Sequence, residues 1–116
     1  MDEDVWQAVA GLNAWLTEGS SRPPEMQRVL QVLKIGEEAG EAAQAVIGAL
    51  GANPRKGRSH TWDDVSAELC DVIVSAMVAL ARIDPDPAAR FRTHLDAVTE
   101  RSRADRSRVD RSGTER

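Results

Sequence analysis

The chain has 116 residues, 41% of them hydrophobic and 29% charged, with a formal net charge of −4. That is enough for one domain with a core, and too acidic for a general nucleic-acid binder. Three Trp, one Phe and no Tyr argue against an all-β fold; the single Cys70 forms no intrachain disulfide, and no cysteine–histidine zinc pattern is present.

The predicted elements are helices. Val5, Val9, Leu12 and Leu16 have helical spacing and define the first, over about 3–17. Gly19 to Pro24 stops it, and Pro24 fits the first turn of the next. The second helix covers about 24–50, with an apolar stripe from Val29 to Leu50. Gly36 and Gly40 lie inside it, each costing up to ~1 kcal/mol against Ala. They mark either close helix packing or room for a ligand. Residues 51–60 form a basic loop, and Thr61 is an N-cap followed by Asp63 and Asp64. The third helix reaches about Arg82. Its apolar residues extend beyond one face (Val65, Leu69, Val72, Ile73, Val74, Met77, Val78, Leu80), which calls for cover on more than one side. A second subunit is the simplest source. Asp84-Pro85-Asp86-Pro87 breaks the chain before a fourth helix over about 87–103. This is an all-α, four-helix bundle completed by oligomerisation, with a domain over 1–104 and a charged, flexible tail over 105–116.

Charge is divided along the chain. Residues 1–87 carry a formal −7 and residues 88–116 a formal +3. Interleaved Asp and Glu make the Arg-rich end a solvated segment rather than a nucleic-acid arm. No apolar run approaches the ~20 residues that span a bilayer. The N-terminus lacks the basic and apolar regions of a signal peptide. The expected setting is cytoplasmic, with no membrane partner.

Two acidic clusters interrupt apolar helices: Glu37, Glu38 and Glu41, then Glu68 and Asp71. Glu38 and Glu41 share a helix face, as do Glu68 and Asp71, because residues three or four apart are neighbours. Positions 42 and 45 are Ala, so no basic residue at i+4 pairs with Glu38 or Glu41. If the two helices pack antiparallel, four or five carboxylates converge. Such charge needs a cation, and hard divalent ions with oxygen ligands, Mg²⁺ first, answer it.

Lys34-x-x-Glu37-Glu38-x-Gly40-Glu41, a spacer, and Glu68-x-x-Asp71 together resemble the MazG-like all-α nucleoside triphosphate pyrophosphohydrolases. The resemblance covers residues 24–83. It implies a MazG-like bundle, assembled as a homodimer or homotetramer. It also implies Mg²⁺-dependent cleavage, with Mn²⁺ as substitute, of a canonical or modified nucleoside triphosphate to monophosphate and pyrophosphate. By position it makes Glu38, Glu41, Glu68 and Asp71 the metal ligands. Glu37 is a further ligand or the acceptor of the attacking water's proton. Catalysis then falls to Glu37 and Glu38. Family members often carry Asn and Lys after the second motif helix; here stand Arg90-Phe91-Arg92-Thr93-His94-Leu95.

Phosphate charge needs neutralising, for which Lys34, Arg55, Lys56 and Arg58 are candidates. The loop lies before a helix N-terminus, itself favourable to anions; the competing reading is a solvated connection. Trp62 is placed to stack on a base or to pack. Of Trp6 and Trp15, on roughly opposite helix sides, at most one serves a ligand. Cys70 reads as a small buried residue, and His60 and His94 as surface or capping residues. The function class that competes with hydrolysis is a catalytically weak, metal-binding helical interaction module. A di-iron bundle is disfavoured, because the motifs lack Glu-x-x-His.

Overall fold

The computed structural model describes residues 3–112, all helix and connecting turns: α1 (Glu3–Glu18), α2 (Pro24–Leu50), α3 (Trp62–Ile83) and α4 (Pro87–Ser112). The expected all-α class stands. None of these helices is long and apolar enough to cross a membrane. The chain divides into two compact units, Met1–Pro85 and Asp86–Arg116.

In the first unit, local chemistry sets each boundary. Pro24 starts α2, and Pro23 before it contributes no side-chain cap. Gly51 ends α2 in the left-handed region, at φ 67°. From there its N–H donates to the Gly48 carbonyl at 3.3 Å, and the Ala52 N–H donates to the Ile47 carbonyl at 3.1 Å. That pairing satisfies carbonyls the helix would leave open. Thr61 caps α3 as expected. Its Oγ1 accepts from the Asp64 N–H at 3.2 Å, and its own N–H donates to Asp64 Oδ2 at 2.8 Å. This reciprocal box satisfies two donors at once. Removing it with Thr61→Ala is expected to cost about 1 kcal/mol. The check is a lower urea midpoint at unchanged slope.

α2 and α3 pack antiparallel, and α1 lies against α3. At one end of the hairpin Arg28 Nε donates to the Arg82 carbonyl (3.3 Å) and Gln31 Nε2 to the Ser75 carbonyl (3.2 Å). At the other end Ala45, Ala49 and Val65 form a buried cluster with Val46 against it. Trp6 and Val9 of α1 and Met77, Val78 and Ala79 of α3 complete the core. It is a small core, in which Val78 is the largest side chain that is almost wholly enclosed.

Much apolar surface remains outside. On α2, Val29, Leu33, Gly36, Gly40, Ala43, Ile47 and Leu50 recur at alternating steps of four and three, all exposed. On α3, Trp62, Leu69, Ile73, Ala76, Leu80 and Ile83 follow the same rhythm, and only Leu80 is half-buried. Leu33 is 65% exposed and Leu69 50%. Such a 3.5-residue period is the spacing of a helix–helix seam.

The second unit holds α4. Asp86 Oδ1 accepts from the Ala89 N–H at 3.3 Å, and Pro87 opens the helix. The helix does not stop near 103 but continues to Ser112. Residues 105–112, expected as flexible tail, are therefore helical; 113–116 lie outside the described residues. Local ion pairs accompany the extension: Glu100–Arg103 at 3.2 Å and Asp105–Arg108 at 2.6 Å. Each has the acid N-terminal to the base, the favourable order, and is worth about 0.2–0.5 kcal/mol. No Gly or Pro interrupts residues 88–112.

Candidate metal centre

The antiparallel register decides how the two acidic motifs meet. Between the Gln31–Ser75 bond and the Ala45–Val65 cluster, Glu38 falls level with Asp71 and Glu41 level with Glu68. The motif spacing of three residues is the same on both helices, so both levels match together. Glu38 and Asp71 line one cavity of about 260 Å³, with Lys34 beside them. Leu12 and Leu16 of α1 and Val74 and Val78 of α3 form its apolar wall. Gln31 and Ser75 also line it, and neither stood out in the sequence, since both are uncharged and isolated.

The other acids are placed differently. Glu37 and Glu41 are exposed on α2. Glu68 is half-buried, and its Oε2 is sealed from solvent with no hydrogen-bond partner. A buried acceptor left unpaired is costly. Among the described residues, no group of three or more Asp, Glu, His or Cys stands together as a ready cation cage. The arrangement is a Glu38–Asp71 pair in the cavity, with Glu41 and Glu68 one helical turn along.

Loss of hydration raises the Glu38 pKa above its ordinary 4.5; Glu41, Asp71 and Glu37 add to the rise, and Lys34 opposes it. A raised carboxyl pKa means the folded state holds the proton more tightly than the unfolded one. Stability therefore falls as pH rises from about 4.5 through the raised value, and the penalty is complete above it. Glu38→Gln, measured in chelator, is expected to flatten the melting-temperature profile across that window and to raise the melting temperature at pH 7. Parallel profiles for the two proteins would show that Glu38 is not the strained group. Asp64 moves the other way: hydrogen bonds from the Thr61 backbone and hydroxyl, with His60 nearby, lower its pKa against opposing desolvation.

The basic loop lies elsewhere. Ten residues of α2, about 15 Å of helix, separate Glu38 from Gly48, on which the loop folds. Ser59 donates its N–H to the Gly48 carbonyl at 3.1 Å, and a Cβ at Gly48 would collide with the Ser59 and His60 side chains. Arg58 Nη1 donates to the Ala49 carbonyl at 3.3 Å, placing a cation at the negative end of α2. Lys56 lines a separate cavity of about 180 Å³ with Ile47 and His60. Arg55 is exposed. Of the four candidate phosphate cations, Lys34 alone lines the acidic cavity. Trp62 is 58% exposed at the first residue of α3 and does not line it.

Three smaller readings are resolved. Cys70 is exposed, not buried, because it lies beside Leu69 on the uncovered side of α3. Trp6 is buried and Trp15 exposed, as their opposite placement on one helix requires. A Cβ at Gly36 or Gly40 would meet nothing within 4 Å among the described residues, so packing within the first unit's described helices does not explain either glycine. Comparison with protein families, with curated proteins and with solved structures finds no match.

Proposed function

We propose that this chain is a MazG-like, Mg²⁺-dependent nucleoside triphosphate pyrophosphohydrolase, acting on a canonical or modified nucleotide. The observation that carries the reading is the register of α2 against α3. It sets Glu38 level with Asp71 and Glu41 level with Glu68, and opens the first pair into a cavity with Lys34. A solvated acidic surface does not need its acids to match across two helices in this way.

Glu38, Glu41, Glu68 and Asp71 would hold Mg²⁺, or Mn²⁺ in its place. The orphaned Glu68 Oε2 and the mutual strain on Glu38 suit an oxygen-ligated divalent ion. Like charges gathered at one site repel, which is what a cation must overcome to draw them together. When bound, the ion supplies phosphoryl polarisation and a more acidic water. The chain's own residues do the rest. Glu38, half-buried in the cavity wall, is better placed than exposed Glu37 to accept the proton of an attacking water. Lys34 neutralises phosphate charge. Leu12, Leu16, Val74 and Val78 exclude bulk water from one side. Arg55, Lys56 and Trp62 are left for a more distant part of the substrate, and Arg58 for the end of α2.

The apolar seams on α2 and α3 support assembly with further copies of the chain, as a homodimer or homotetramer. They also bring the glycine pair next to a neighbour, which explains two residues that are costly in a lone helix. A nucleotide panel with Mg²⁺, read as pyrophosphate release, tests the enzyme. The expected result is release from at least one triphosphate, abolished by chelator. Mg²⁺ binding with no release from any nucleotide would leave the interaction-module reading in its place.

A further inference from the structure

A further cavity, of about 200 Å³, lies among α1, α2 and α3 at the end of the hairpin away from the basic loop, lined by Asn13, Thr17, Gln27, Arg28 and Arg82. Ten residues of α2, about 15 Å, separate Arg28 from Glu38. Arg82 is half-buried there. Its Nη1 donates to Gln27 Oε1 at 2.9 Å and to Thr17 Oγ1 at 3.4 Å. Its Nε is sealed from solvent with no hydrogen-bond partner, and so is Asn13 Oδ1. Arg28 uses Nε on the Arg82 carbonyl at 3.3 Å. The ion pairs Arg92–Asp96, Glu100–Arg103 and Asp105–Arg108 lie within α4 and involve neither guanidinium.

Two readings compete. In the plain one, the arginines tie three helices together and water completes their bonds. That accounts for Arg82 Nη1 and for Arg28 Nε, which caps a carbonyl at the end of α3, but it leaves the other N–H groups of both guanidiniums unused. The groups left over have a definite chemistry. A guanidinium grips an oxyanion with two parallel N–H bonds; with Arg28 Nε already used and Arg82 Nε sealed, the Nη groups of exposed Arg28 make the first contact and Arg82 Nε joins as its side chain turns outward. Turning over the Asn13 amide presents a third donor, Nδ2. α2 begins beside them without a side-chain cap and α3 ends there, so the two helix-end fields oppose one another and the guanidinium charges themselves would draw the anion.

We propose that the Arg28–Arg82 cavity is an oxyanion site that takes a phosphate group, either free or carried by a larger molecule. The site is separate from the carboxylate cluster and requires no metal. It holds whether or not the chain hydrolyses nucleotides.

The test is calorimetry and thermal unfolding of the full chain in chelator, with inorganic phosphate or adenosine monophosphate titrated against chloride at constant ionic strength. Saturable binding of phosphate is the expected result, with a rise in melting temperature. Arg28→Gln should weaken it at least tenfold. Arg28 is exposed and makes one long bond, so this variant keeps its fold even if Arg82→Gln does not. Arg101→Gln on α4 removes the same charge elsewhere and should change affinity less than twofold. Binding of the nucleotide but not of free phosphate, with the same dependence on Arg28, assigns the site to a phosphate on a larger ligand. No saturable binding of either probe, or equal losses in the Arg28 and Arg101 variants, overturns the proposal.

Discussion

Asp71→Asn is expected to lower Mg²⁺-dependent nucleotide turnover by about 10²–10³-fold, or roughly 3–4 kcal/mol of transition-state stabilisation. The substitution removes one charge and almost no volume, and Asp71 is exposed on α3 while lining the acidic cavity. Helicity and the urea midpoint should therefore be close to those of the parent in chelator. Glu38→Gln should match it in turnover and add the altered pH profile of stability. Glu68→Gln and Glu41→Gln should weaken the response to Mg²⁺. In the parent, a concentration ten times the dissociation constant stabilises by about 1.4 kcal/mol; in these variants that gain should shrink or vanish. Glu37→Gln sits on the exposed side of α2 and should change turnover less than tenfold. Because grouped residues act together, the double variant Glu38→Gln/Asp71→Asn should lose little more than either single one. Unchanged Mg²⁺ affinity across Glu38→Gln, Glu68→Gln and Asp71→Asn would remove the metal assignment, and the proposed reaction with it.

How much of this was legible in the sequence varies by element. The bounds of α2 follow from Pro24 and Gly51, and the start of α3 from Thr61, because each boundary is made by local backbone chemistry. α4 outran its expected end because its last turns lack an apolar stripe and are accompanied by short-range Arg–acid pairs. The motif spacing showed which acids share a face. It could not show the register between helices, which rests on long-range bonds such as Gln31 to Ser75. The role of Arg58 was hidden for a similar reason: its partner is a backbone carbonyl, that of Ala49, and sequence carries no mark of it. Arg28 and Arg82 are 54 positions apart, and only the hairpin brings them together.

The glycine pair yields the second large effect, and one whose sign separates two pictures of the protein. In a lone chain, Gly36 and Gly40 face open space, so Gly36→Ala and Gly40→Ala should each stabilise by up to about 1 kcal/mol through helix propensity. In an assembly whose seam runs through Val29, Leu33, Gly36, Gly40, Ala43, Ile47 and Leu50, the missing side chains permit close backbone approach. There the same substitutions should weaken association. We expect the second outcome. Leu33, Ile47, Leu69 and Ile73 are 46–65% exposed, so burying the remainder contributes roughly 0.7–2 kcal/mol per side chain, whereas the enclosed core of one copy rests largely on Ala and Val. Leu33→Lys combined with Ile73→Glu should therefore raise the dissociation constant by at least 10²-fold. Sedimentation at micromolar concentration is the measurement. The parent should sediment at twice 12.6 kDa or more, and the charged variant as a monomer with reduced thermal stability. A parent that stays at 12.6 kDa, together with more stable glycine variants, would leave both seams as plain surface and assign the glycines no role in assembly.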